Sequence, residues 1–152
     1  MESLDRRLLE LLANDSSASI SELSALLEVP TSTLHQRIKR LEARGVITGY
    51  RAQINQREVG LTLHALVSLT PIDPSKPDDV VEKISPIAEI ESCWSVAGTE
   101  SYIVKVAVAE PADLEALLAK IRAHANVSTR TSVILSTPFE GRQAQIPKDS
   151  IQ

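Results

Sequence analysis

Apolar residues recur along this chain at two different periods, and the change of period divides it. Leu4, Leu8, Leu11 and Leu12 are spaced as one face of a helix, with Ser3 as its cap. The polar run Asn14 to Ser17 breaks that pattern. Ser19 and Glu22 stand at capping-box spacing and open a second helix through Leu23, Leu26 and Leu27. Pro30 cannot donate a backbone hydrogen bond, so this helix ends before it and a tight turn follows at Val29 and Pro30. Leu34, Ile38 and Leu41 then mark a third helix, stopped by Gly45, which adopts a left-handed backbone at little cost. Two short helices joined by such a turn predict a helix-turn-helix. Val46 to Ile54 reads as an extended segment, a wing or a strand shared between subunits, and Asn55 to Gly60 as a linker with one helical turn.

From Leu61 the period becomes two. Leu61, Leu63, Ala65, Val67 and Leu69 alternate with Thr62, His64, Leu66 and Ser68, which predicts a strand ended by the prolines Pro71 and Pro74. Asp78 and Asp79 open a helix through Val80, Val81 and Ile84, closed by Pro86. A second strand covers Glu89 to Ala97, with Ile90, Ser92, Trp94 and Val96 on one face, and a turn at Gly98 to Ser101 leads into a third, Tyr102 to Ala109. Pro111 starts a helix whose apolar stripe is Leu114, Leu117, Leu118 and Ile121 and whose last turn is basic. Val127 to Thr137 is the fourth strand. The expected class is α+β: an N-terminal winged helix-turn-helix domain (1–50), a linker (51–60), a ferredoxin-like βαββαβ effector and oligomerisation domain (61–137), and a polar tail (138–152). Thr129, Thr131, Val133 and Leu135, with Leu66 and Ile134, are expected on the sheet face that no helix covers. A second copy of the chain is the expected cover.

Composition changes this picture in one respect. The 152 residues carry a formal net charge of −4, which by itself argues against nucleic acid. The charge is unevenly spread: between Thr31 and Arg51 five cations (Arg37, Lys39, Arg40, Arg44, Arg51) face one acid, Glu42. A basic surface on an acidic body marks a place for directed binding, with a merely solvated charged helix as the alternative. Ser32, Thr33, His35 and Gln36 crowd the first turns, where a helix end approaches base edges. Arg37, Lys39, Arg40 and Arg44 follow where phosphates would lie, with a guanine edge as a second option for Arg37. A structural use of Arg37 stays open beside these, its stem on the first helix and its head paired with an acid.

Other chemistry is sparse. No apolar run approaches membrane-span length, the N-terminus has no secretory pattern, and the single cysteine permits no internal disulfide, so a cytoplasmic protein is expected. Cys93 reads as a buried small apolar residue. No Cys/His spacing suits zinc, and no nucleophile–base pair or phosphate-binding glycine loop is present, so neither an enzyme nor a cofactor or metal is expected.

At this point Leu4-Asp5-Arg6, Ser21-Glu22-Leu23, the run Arg37 to Glu42, Gly45-Val46-Ile47, Ile54-Asn55 and Val59-Gly60 together resemble the leucine-responsive/asparagine regulator (Lrp/AsnC, feast/famine) family. Val96 to Gly98 followed by Tyr102 resembles that family's effector domain. The resemblance spans about Leu4 to Thr137. It implies a sequence-specific, double-stranded-DNA-binding transcription regulator that senses an amino acid or related metabolite and assembles as homodimers stacked into octamers. An effector-independent architectural DNA-binding protein is the alternative. Two positions depart from the family pattern. Pro30 stands where a capping serine is common, which shifts the expected cap to Thr31, and Ser101 stands where an aspartate is common. The turn Gly98, Thr99, Glu100, Ser101 and Tyr102 is the candidate effector site. Gly98 would admit a carboxylate to backbone N–H groups, Glu100 would meet an ammonium and Tyr102 would wall the side chain. An ordinary hairpin turn is the alternative.

Overall fold

The computed structural model describes residues 2–142 and divides into two units, one running to Gln53 with 139–142 assigned to it, the other Ile54–Pro138. The tail beyond residue 142 lies outside the described residues.

The first unit is built from α1 (Ser3–Asn14), α2 (Ile20–Leu27) and α3 (Thr31–Ala43). Its core is a cluster of leucines, Leu8, Leu12, Leu23, Leu27, Leu34 and Leu41, with Ile38 and Ile47 packed on its edge. Each fully buried leucine contributes about 1.5–3 kcal/mol relative to exposure, which holds three short helices that would be marginal alone. The capping box at the start of α2 is present: the Glu22 N–H donates to Ser19 Oγ at 3.2 Å and the Ser19 N–H to the Glu22 carboxylate at 2.7 Å. The turn between α2 and α3 is made by Glu28, which holds φ 56, a left-handed conformation uncommon for a side-chain-bearing residue.

Two expectations are corrected here. Ser3 is the first helical residue of α1, and Glu2 stands at its cap without capping it. Likewise Pro30, not Thr31, precedes α3; its carbonyl accepts from Thr33 and Leu34, but no side chain caps the helix. Within the single chain, residues 46–54 pair with no other strand among the described residues.

The second unit follows the order β1 (Leu63–Pro71), α4 (Val80–Ile84), β2 (Ile90–Ser95), β3 (Tyr102–Val108), α5 (Pro111–Ala125), β4 (Val127–Val133). The sheet runs β2-β3-β1-β4, with every neighbouring pair antiparallel. This is the ferredoxin-like arrangement, in which the first and third strands are central. Ala65, Val67, Leu69, Val104, Val106 and Val127 point to one side and pack with Ile84, Leu114, Leu117 and Ile121 from the helices. Pro111 begins α5, where a missing N–H is harmless, and Asn126 ends it in the left-handed region at φ 51.

The strand register corrects the expected bare face. Thr129, Thr131 and Val133 lie opposite Leu69, Val67 and Ala65, so they share the helix-covered side. The uncovered side carries His64, Leu66, Ser68, Ile103, Lys105, Trp94, Arg130 and Ser132. A bulge between Ile90 and Ser92 is why the even positions of β2 do not share one face: the extra residue moves Trp94 to the side opposite Ile90. Leu66 and Trp94 remain exposed there. Cys93, expected to be buried, is exposed because β2 is an edge strand; the burial it retains pushes its thiol pKa up, away from a reactive thiolate.

Candidate nucleic-acid interface and effector turn

At about 100° per residue, the side chains of α3 fall into distinct groups. Leu34 and Leu41 are buried, and Ile38 half-buried beside them. Ser32, Gln36 and Lys39 are exposed and lie opposite that stripe. Thr33, Arg37, Arg40 and Arg44 run along one flank, and His35 is exposed on the other. The eight candidate contacts therefore do not form one surface. Three face outward, His35 stands toward one edge and four line the opposite edge.

That edge is where the structure adds what the sequence reading left open. The Arg37 Nη1 donates to Asp5 Oδ1 at 2.8 Å and reaches Glu2 Oε2 at 2.6 Å, while the Arg40 Nη2 donates to Asp5 Oδ2 at 2.8 Å. Asp5 is 1% exposed and stands in line with Leu8 and Leu12 on the buried face of α1. Burial by itself would raise its pKa. The hydrogen bonds and charges of the two guanidiniums outweigh it, so the carboxyl sits below its ordinary value. The structural use of Arg37 is thus the one seen. Asp5 was detectable in the sequence as an acid at i, i+3, i+7 with two core leucines, a position no solvated acid would take.

The effector turn is less convergent than its sequence suggested. The Val96 N–H donates to the Ser101 carbonyl at 3.0 Å, and the Ser101 N–H donates to Leu69 at 3.1 Å, which ties the turn to β1. Gly98 is exposed, does not take a positive φ, and has open space where a Cβ would stand. Its conformation is therefore not the alternating one an anion nest requires. Thr99 and Glu100 line a hollow of about 110 Å³ with Ser68, Ser128 and Arg130. Glu100 accepts from the Ser68 hydroxyl at 3.0 Å and from the Arg130 guanidinium at 3.1 Å. Its own backbone N–H, Ser68 and Arg130 together hold its carboxyl below the usual range. Ser101 instead lines a second, larger hollow of about 320 Å³ with Asp73, Asp78, Lys83 and Asn126. The Tyr102 hydroxyl donates to Asp78 at 2.5 Å, which raises the tyrosine pKa. Consecutive residues entering a strand point to opposite sides, so Thr99 and Glu100 line one hollow and Ser101 the other, while Gly98 and Tyr102 line neither. Arg130 and Ser68, neither of them an effector candidate from the sequence, join Glu100 through strand pairing that local spacing does not reveal.

Among the described residues no group of three His, Cys, Asp or Glu could hold a metal ion, and no helix is long and apolar enough to cross a membrane.

A leucine-cored helix-turn-helix followed by a ferredoxin-like unit is the architecture of a DNA-binding regulator with a separate ligand-binding domain. Comparison with known proteins agrees. Residues 1–48 match a winged helix-turn-helix DNA-binding family and residues 62–144 match the Lrp/AsnC ligand binding domain. The chain is 47% identical over 143 residues to the HTH-type transcriptional regulator LrpA of Mycobacterium tuberculosis, covering 94% of this chain and 95% of that one. It is 31% identical over 138 residues to an uncharacterized HTH-type transcriptional regulator of Pyrococcus horikoshii, covering 90% of this chain and 87% of that one. The feast or famine regulatory protein from M. tuberculosis complexed with L-methionine has a TM-score of 0.93 at 46% identity, covering 95% of this chain and 99% of that one. E. coli AsnC shares the fold, with a TM-score of 0.87 at 23% identity, covering 96% of this chain and 99% of that one. The chain belongs to the Lrp/AsnC family and is a DNA-binding transcription regulator with a ligand-binding domain.

Proposed function

We propose that this chain is a sequence-specific regulator, not an enzyme, whose DNA affinity or assembly responds to an amino acid or related metabolite. The observation that carries the DNA half is the surface of α3: Ser32, Gln36 and Lys39 are exposed together opposite Leu34 and Leu41, with His35 exposed to one side of them. Ser32, His35 and Gln36 offer polar groups to base edges. Lys39, Arg40 and Arg44 supply charge for phosphates. Thr33, on the flank, contacts the sugar-phosphate edge. The uncovered sheet face, with exposed Leu66 and Trp94, is the surface for a second copy, and a two-fold pair presents two reading helices to successive turns of the duplex. Further stacking of pairs gives an octamer, in the cytoplasm where its DNA lies.

The metabolite half rests on the relative solved with L-methionine. In this chain Gly98, Thr99, Glu100, Ser101 and Tyr102 form the effector turn, with the Glu100 carboxylate for the ammonium group. Ligand preference for one assembly over another would couple the two halves by about 1–3 kcal/mol.

The deciding measurement is a gel-shift titration across salt, on duplex DNA selected by the protein from a random pool. Lys39→Ala is expected to weaken binding on every sequence and to reduce the salt slope by about one. An unaltered slope removes α3 from the interface. Selection repeated with and without an amino-acid mixture separates the ligand-responsive regulator from an architectural protein, for which the two pools would be identical.

A further inference from the structure

We infer that Asp5 is a positioning residue for DNA binding, which withdraws Arg37 from the duplex and aims Arg40 at it. The inference rests on the reading that α3 faces DNA. Asp5 is the one charged residue buried among the described residues, at a site on α1 where a further leucine would extend the core. A buried carboxylate in such a place is costly unless it is paired. Its two oxygens divide the work: Oδ1 takes Arg37 and Oδ2 takes Arg40, each at 2.8 Å.

The two arginines are left in different states. Arg37 has two acids on one nitrogen, Asp5 and Glu2, and its side chain is 22% exposed. Its charge is spent inside the unit. Arg40 directs only Nη2 toward Asp5 and Glu2, with Glu2 at the longer distance of 3.5 Å, and its side chain is 47% exposed. The rest of that guanidinium is held still at the edge of the outward surface, beside Gln36 and Lys39 on the neighbouring positions of the helix. A fixed planar donor loses less freedom on meeting a phosphate than a swinging one. Asp5 therefore sets which cations of the basic helix are counted by DNA.

The test uses the full chain and fluorescence anisotropy with two probes, a duplex selected by the protein from a random pool and the same duplex scrambled, each titrated across salt. Arg40→Gln is expected to lower the salt slope by about one, and Arg37→Gln to leave it unchanged while lowering thermal stability. Asp5→Asn frees both guanidiniums, so the slope on the scrambled duplex should steepen and the selected-to-scrambled affinity ratio fall roughly tenfold. If Asp5→Asn weakens both probes in step with no change of slope, Asp5 is only a core residue and the inference is overturned. Equal slope losses for Arg37→Gln and Arg40→Gln overturn it as well, and these two variants decide the matter if Asp5→Asn does not fold. Lys39→Ala serves as the control: a lowered slope there keeps α3 on DNA whatever Asp5 does, and an unchanged slope overturns both readings.

Discussion

The Asp5 carboxylate on α1 accepts a hydrogen bond from the Arg37 guanidinium on α3 at 2.8 Å, across 32 positions of sequence. This contact joins the first helix to the third without passing through the second. Asp5 is almost wholly enclosed while the Arg37 side chain stays 22% exposed, so water screens the pair from the arginine side only. Asp5→Ala is expected to cost about 1–3 kcal/mol near neutral pH, since it removes two charge-assisted hydrogen bonds and leaves Arg37 and Arg40 with Glu2 and water.

The same pair sets an acid limit. The folded Asp5 pKa lies below its unfolded value of about 3.9, so its contribution is complete above that value and fades as pH falls toward the folded one. Urea unfolding followed by circular dichroism should show wild type and Asp5→Ala well separated at about pH 7 and drawing together below about pH 4. A separation that stays constant across this range would show that packing, not charge, is lost.

The capping box of α2 carries its own expectation. Ser19→Ala removes the acceptor for the Glu22 N–H and leaves that donor without a partner at the helix end. Denaturant midpoints should report a loss of about 1 kcal/mol, with Ser19→Asp retaining most of the stability.

At the turn between α2 and α3, glycine should outperform the native residue. Glu28 holds φ 56 at the α2 C-cap, and a left-handed backbone costs an L side chain roughly 1–2 kcal/mol. Part of that gain is offset by the greater freedom of an unfolded glycine. Glu28→Gly is expected to stabilise the unit by about 0.5–1 kcal/mol, read as a raised melting temperature; an unchanged or lowered one would mean that the carboxylate makes up the difference.

Gly98 permits a clean test of the effector turn. It lacks a positive φ and nothing crowds the place of its Cβ, so Gly98→Asp should leave the fold intact. Isothermal titration with a panel of amino acids should then show heats for the wild type that vanish in the variant. Indistinguishable heats for both proteins would clear this turn of the role.

Periodicity served the elements well because each carries a large apolar face. Leu8, Leu12, Leu23, Leu27, Leu34 and Leu41 and the alternation in β1 bury their regular positions, although Leu26 of α2 is exposed. Details that depend on a single extra residue were hidden. The bulge at Ile90 and Ser92 changes no composition, yet it moves Trp94 across the sheet. The grouping of Thr129 and Thr131 with Leu66 failed for a related reason: alternation within β4 is visible, but its phase relative to β1 is fixed only by the ladder. In the candidate interface, the basic character of α3 could be read directly, whereas the commitment of Arg37 to Asp5 is a contact between distant positions. The effector turn was located as a turn, while its separation into two hollows follows from strand geometry that five consecutive letters do not express.

The leucine cluster of the first unit and the valine-rich cluster of the second have no side chain in common. A substitution that loosens or tightens one interior does not have to be answered in the other. Descendants of such a chain are free to alter the DNA-binding half while the ligand-binding half stays as it was, and the reverse.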